Sequence, residues 1–162
     1  MKKLILIRHG KSAWDFNVSD KDRPLQERGI NDAYLVANKL IEKNIVIDAI
    51  FSSPANRALH TSMIFLRELN FPFTAFNIAN ELYDFSGDSV ISFVKSLSNN
   101  LDTVLIFGHN HAFTYIANAY GSTSFANVPT TGLVELNFNT KDWNSINEGV
   151  TIEHIFPKEL RK

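Results

Sequence analysis

Short aliphatic runs, each ended by polar or cationic residues and separated by helix-length amphipathic stretches, constrain this chain more than any other feature. Leu4 to Ile7 is the first run, and Arg8 and His9 follow it at once. So short and continuous an apolar run reads as a fully buried strand. Asp48–Phe51 and Thr103–Phe107 repeat the pattern, and Phe73–Ile78 is a weaker third candidate in chain order. Between the first two runs, Ile30, Ala33, Tyr34, Ala37, Leu40 and Ile41 recur at helical spacing, which predicts a helix over 26–43. Ser52-Ser53-Pro54 reads as a serine cap with proline at the first helical position, opening a helix that runs to Leu69. Gly87-Asp88 opens another, with Val90, Ile91, Val94 and Leu97 on one face. Gly108-His109-Asn110 leads into a helix carrying Phe113, Ile116, Ala117 and Tyr120. Leu133–Phe138 and Thr151–Phe156 alternate apolar with polar residues, as strands with one buried face do. The order predicts an α/β fold: a three-layer α/β/α sandwich with a mostly parallel central sheet and a late antiparallel addition.

Composition narrows the chemistry. A chain of 162 residues fits one domain, taken as residues 1–162. The absence of cysteine excludes disulfides, thiolate nucleophiles and zinc–thiolate sites. A formal net charge of -1 argues against a bulk electrostatic grip on nucleic acid, so no nucleic-acid partner is expected. The first apolar run is too short for a signal-peptide core or a membrane span, which predicts a cytoplasmic protein with no membrane partner. No GxxxxGK[ST] loop is present, and no aspartate-rich motif follows the first strand. His109 and His111 lack a metal-ligand pattern, so neither a metal nor a cofactor is expected. His60 and His154 read as structural or surface residues. Lys11, Lys21 and Asp22 read as a solvated charged loop, and the C-terminal PKELRK as a polar tail.

Three stretches place polar or cationic residues just past a buried strand: Arg8-His9-Gly10, Ser52-Ser53-Pro54 with Arg57, and Gly108-His109-Asn110. Open α/β sheets bind ligands beyond the carboxyl ends of their strands, so positions 8, 57 and 109 are expected to share one crevice. Two arginines and two histidines suit a phosphate dianion, because a guanidinium fork matches phosphate oxygens. The helix after Asn110 would turn its amino end toward the same anion. Like charge from the arginines disfavours a protonated His9, and a neutral ring nitrogen attacks phosphorus. Gly10 removes a side chain beside that ring. Ser12 is placed to donate a further hydrogen bond to the phosphoryl group, and His109 to share a proton with one of its oxygens.

RHGKSAWD at 8–15, DRPLQERG at 22–29, FSSPANRALHT at 51–61 and IFGHNH at 106–111 resemble the signature of the histidine phosphatase superfamily, also called phosphoglycerate mutase-like. The chain resembles most the small SixA-type phosphohistidine phosphatase branch. The resemblance implies a phosphoglycerate mutase-like fold with His9 as the phosphorylated histidine. Arg8 and Arg57 match the phosphate-pocket arginines, and His109 the second histidine. It places Arg23 near the substrate, with Arg28 structural. Ester-cleaving relatives take a carboxylic acid from the region after the third strand, where Glu81 is the best match and Asp84 the second. His111 departs from the small or proline-like residue often found there.

The expectation is therefore a phosphatase that works through a covalent phosphohistidine. Its partner is a phosphorylated protein, such as a histidine phosphocarrier domain, or a small phosphorylated metabolite. A small-molecule phosphomonoesterase is the nearest alternative. A non-catalytic phosphate-binding interaction module is the alternative of another class, and retention of His9 argues against it. A mutase needs a lid that excludes water, and no long insertion supplies one.

Overall fold

The computed structural model describes residues 1–162. Six strands alternate with four helices: β1 (Lys2–Arg8), α1 (Glu27–Ile41), β2 (Ala49–Ser52), α2 (Asn56–Leu69), β3 (Phe76–Ile78), α3 (Asp88–Lys95), β4 (Thr103–Gly108), α4 (Ala112–Tyr120), β5 (Leu133–Phe138) and β6 (Val150–Ile155). The sheet runs β3-β2-β4-β1-β5-β6. The first four strands in that order are parallel; β5 runs antiparallel to β1, and β6 runs antiparallel to β5. No helix is long and apolar enough to cross a membrane.

The period of two along each strand sorts side chains between the layers. Leu4 and Leu6, with Val104, Ile106, Val134 and Leu136, pack with residues of α3 and α4. Ile5 and Ile7, with Ile50, Leu105, Phe107 and Leu133, pack with residues of α1 and α2. Leu4 to Ile7 are all fully buried, as the uniform apolar run predicts. Each such side chain contributes about 1.5–3 kcal/mol on burial. The three-layer α/β/α sandwich around a mostly parallel sheet is as expected from the sequence.

Four local expectations need correction. The helix after Ser52-Ser53-Pro54 begins at Asn56, with Ala55 at the cap; the Ser53 hydroxyl lies against His109 and accepts only the Ala55 N–H, ahead of the helix. The third strand is only Phe76–Ile78, because Phe73–Ala75 winds into a 3-10 turn. Strand β5 is buried on nearly both faces, since Glu135 is covered and paired with Lys3 and Lys43. The C-terminal segment is more than a polar tail: Arg161 makes two hydrogen bonds to the buried carboxylate of Asp32, at 2.9 and 2.6 Å. A buried carboxylate demands such a partner.

Candidate active site

Strand register carries three segments to one edge. Arg8 pairs with Gly108, and Ser52 with Phe107, so the ends of β1, β2 and β4 lie side by side. The register persists one residue further, with His9 N–H donating to Gly108 O and Ser53 N–H to Phe107 O, each at 3.0 Å. His9, Ser53 and His109 therefore leave the sheet together. A cavity of about 260 Å³ opens there, lined by Arg8, His9, Ser12, Arg23, Arg57 and Asn110 among others.

The segment from Gly10 to Gln26 is folded back on itself and clamped beside the cavity. Ser12 bridges Leu25, Ala13 N–H donates to Pro24 O, and Gln26 N–H donates to Lys11 O. Gly29 permits this approach, because a Cβ there would strike the Lys11 backbone. Gly10 N–H donates to Thr61 Oγ1, whose hydroxyl donates to Arg57 O. Buried Thr61 thus couples the His9 loop to the first turns of α2, which carry Arg57.

His9 is buried, and its Nδ1 lies 2.7 Å from Gly10 O. A carbonyl only accepts, so Nδ1 carries the proton. Nε2 is left with its lone pair, without a partner in the chain. Burial holds the ring well below its usual pKa, against the pull of the Gly10 carbonyl; His109, Arg57 and Arg8 lower it further. The neutrality expected from the arginines is thus mainly a desolvation effect. The His109 ring centre lies 5.2 Å away. Its Nε2 is 2.7 Å from Ser53 Oγ, and its Nδ1 is 3.5 Å from Arg57 Nη2. Burial first, then Arg57, lowers His109 to about 3.

The guanidinium groups are unevenly engaged. Arg8 Nη1 donates to Val128 O at 2.9 Å, and its buried Nε has no partner in the chain. Arg57, 1% exposed, donates from Nη1 to Asp20 O at 2.6 Å and from Nη2 to Asp20 Oδ2 at 2.9 Å. Arg23 donates from Nη1 to Ser12 Oγ at 2.6 Å and stacks 3.5 Å from the centre of the exposed Trp14 ring. Ser12 is buried, and its own hydroxyl proton stays available. Asn110 lines the cavity, but its Nδ2 donates to Asn127 and its Oδ1 accepts from Thr114. One amide donor at the start of α4 is therefore spent inside the chain.

Asp20 is the residue that sequence reasoning missed. Its carboxylate also accepts from Tyr83 Oη at 2.5 Å and from Arg23 at 3.3 Å. Burial alone would raise its pKa, but the Tyr83 and Arg57 hydrogen bonds and the charges of Arg57 and Arg23 bring it to about 2. The only signal was its position at the head of the DKDR run. Lys11, read as solvated, is exposed yet lines the cavity.

Other sequence candidates fall elsewhere. Glu81 sits exposed in the turn Asn80–Leu82 and does not line the cavity. Asp84 caps α3: its oxygens accept from the amides of Ser86, Gly87, Ser89 and Val90. Burial would raise this carboxyl, but those hydrogen bonds outweigh it and lower its pKa. Arg28 is exposed and faces Asp32 along α1. His111 is the exposed residue before α4.

Comparison with known proteins agrees with this geometry. The model of the histidine phosphatase superfamily (branch 1) matches residues 4–85. An uncharacterized protein of Mycobacterium tuberculosis strain H37Rv is 32% identical over 118 residues, 73% of this chain and 72% of that protein. A 2,3-bisphosphoglycerate-dependent phosphoglycerate mutase of Gloeothece citriformis is 45% identical over 73 residues, which is 42% of this chain and 30% of the mutase. The structure of the protein histidine phosphatase SixA complexed with tungstate superposes with a TM-score of 0.83 at 24% identity, covering 98% of this chain and 99% of that one. The chain belongs to the histidine phosphatase superfamily, and it is a phosphatase built on the SixA-type architecture.

Proposed function

We propose that residues 1–162 form a single cytoplasmic phosphatase domain that hydrolyses phosphohistidine in proteins, such as a histidine phosphocarrier domain, through a phosphohistidine on His9. The observation that carries this reading is the ring of His9. Its Nδ1–H is fixed on Gly10 O and its Nε2 is unpartnered, in a cavity with the guanidinium groups of Arg8, Arg23 and Arg57. Nε2 attacks phosphorus, and the bond to the leaving nitrogen breaks with its electron pair on that nitrogen. The phosphorylated ring is cationic, and the Gly10 carbonyl stabilises the charge. Water then attacks phosphorus, the P–Nε2 pair returns to His9, and phosphate leaves. Arg8 and Arg57 carry the equatorial oxygens and Ser12 and Arg23 support them; once the dianion offsets the neighbouring positive charge, His109 takes a proton from solvent and shares it with a phosphoryl oxygen.

The substrate class follows from what the cavity offers a leaving group. Asp20 is the one carboxylate that lines it, and Asp20 is ionised at neutral pH. An alkoxide leaving group needs a proton donor; an imidazole already protonated on its far nitrogen does not. Glu81 acts as the acid only for an ester that extends beyond the cavity. Exposed Trp14 and Phe85 on the lining present apolar surface of the kind a protein partner covers.

The test is phosphate release from a phosphohistidine peptide, p-nitrophenyl phosphate and small phosphomonoesters. The peptide is expected to be the best substrate by kcat/KM. His9→Ala is expected to lose roughly four or more orders of magnitude on all of them, as removal of a nucleophile does. Turnover that survives in His9→Ala would end the mechanism. A metabolite that outpaces the peptide would move the assignment to a small-molecule phosphomonoesterase.

A further inference from the structure

We propose that Asp20 is a specificity-determining residue: as the phosphoryl group takes over Arg57, the Asp20 carboxylate passes to the N–H⁺ of the leaving imidazole. The inference rests on the phosphohistidine reading above and goes beyond it by assigning the leaving-group side of the site.

The geometry points this way in three steps. Arg57 is buried and Asp20 lies on its solvent side, with 42% of the Asp20 side chain exposed. A leaving group carried by a protein lies toward solvent, the side on which Asp20 stands. Next, the carboxylate is full in the resting chain: Oδ1 faces Arg23, and Oδ2 takes Arg57 and Tyr83. A carboxylate offers about four acceptor positions in all. Arg57 Nε is buried without a partner, and an incoming phosphoryl group drawn to this guanidinium competes with Asp20 for Nη2, which weakens one of the donors to Oδ2. Last, the substrate decides whether that acceptor position is filled.

A phosphohistidine ring protonated on its far nitrogen fills it. The carboxylate accepts from that N–H⁺, keeps the ring in its reactive form, and gives up no proton itself. When the P–N bond breaks, the electron pair stays on nitrogen and the product is neutral imidazole that retains the far N–H. An ester brings no cation. Its oxygen takes the electron pair as the P–O bond breaks, so negative charge builds up facing a fixed carboxylate. The same residue thus favours one leaving group and opposes the other.

Phosphoimidazole and p-nitrophenyl phosphate separate the two, because nitrophenolate leaves without a proton. Asp20→Asn is expected to lower the kcat/KM ratio, phosphoimidazole over p-nitrophenyl phosphate, by roughly ten-fold or more, the size of one charge-assisted hydrogen bond. Asp20→Glu is expected to restore part of that ratio. Both substrates are read on one preparation, so loss of folded protein cancels. Equal losses on both substrates in Asp20→Asn would overturn the proposal and leave Asp20 as a mere organiser of Arg57 and Arg23. Failure of the wild type to turn over phosphoimidazole at all would instead end the phosphohistidine reading, and this proposal with it.

Discussion

His9 and His109 stand 5.2 Å apart at the heart of the site, and each is kept neutral chiefly by burial. For His109 the consequence is measurable. Folded, it resists protonation down to about 3. In the unfolded chain it accepts a proton near its ordinary value, about 6.5. Between these values the unfolded state binds more protons, so stability rises with pH through the window and falls as acid is added. From pH 7 to pH 5 this one residue accounts for about 2 kcal/mol of lost stability. Urea unfolding at the two pH values is expected to show that His109→Gln loses less stability than wild type by about that amount. An unchanged difference would mean that His109 takes up its proton as readily in the folded chain as in the unfolded one. Arg8, His9 and His109 were legible from sequence because each closely follows a buried apolar run, and Arg57 because it opens the helix just after another. Asp20 was not. Its partners Arg57 and Tyr83 lie far along the chain, and an aspartate among Lys21 and Asp22 looks merely solvated.

Among elements, the loop between β1 and α1 does the most to shape the cavity. Its clamp depends on Gly29, inside α1, where the Lys11 backbone comes close. Alanine in place of glycine gains about 1 kcal/mol of helix propensity. Here the obstructing atoms are backbone rather than a flexible side-chain end, so the clash wins, at a cost of about 1–3 kcal/mol. Gly29→Ala is expected to lower the urea midpoint and to raise KM for p-nitrophenyl phosphate, since Ser12 and Arg23 ride on the displaced loop. A variant as stable as wild type with unchanged KM would show that the loop is not held this way. The helices were legible from periodicity, and the central strands from their short continuous apolar runs. The start of α2 was not: the Ser53 hydroxyl that sequence assigns to a cap is shared between His109 and the Ala55 N–H, and the helix opens only at Asn56. Burial of Glu135 and pairing of Arg161 with Asp32 were hidden for a like reason: each partner comes from a distant part of the chain.

At the scale of the molecule, a chain of net charge -1 gathers Arg8, Lys11, Arg23 and Arg57 around one cavity with a single carboxylate among its lining residues. The parallel strand register makes this possible, because it aligns the carboxyl ends of β1, β2 and β4 at one edge. Four cations at a low-dielectric edge bind a dianion far better than the overall charge suggests. In the mechanism proposed above, cleavage falls to the unpartnered nitrogen of His9. The most direct measurement is to quench turnover of a ³²P-labelled phosphohistidine peptide within the first cycle at alkaline pH and map the label. Acid-labile, alkali-stable label is expected on His9 alone and is expected to be absent in His9→Ala. Phosphate released in the burst with no label on the protein, or label at another residue, would contradict the mechanism.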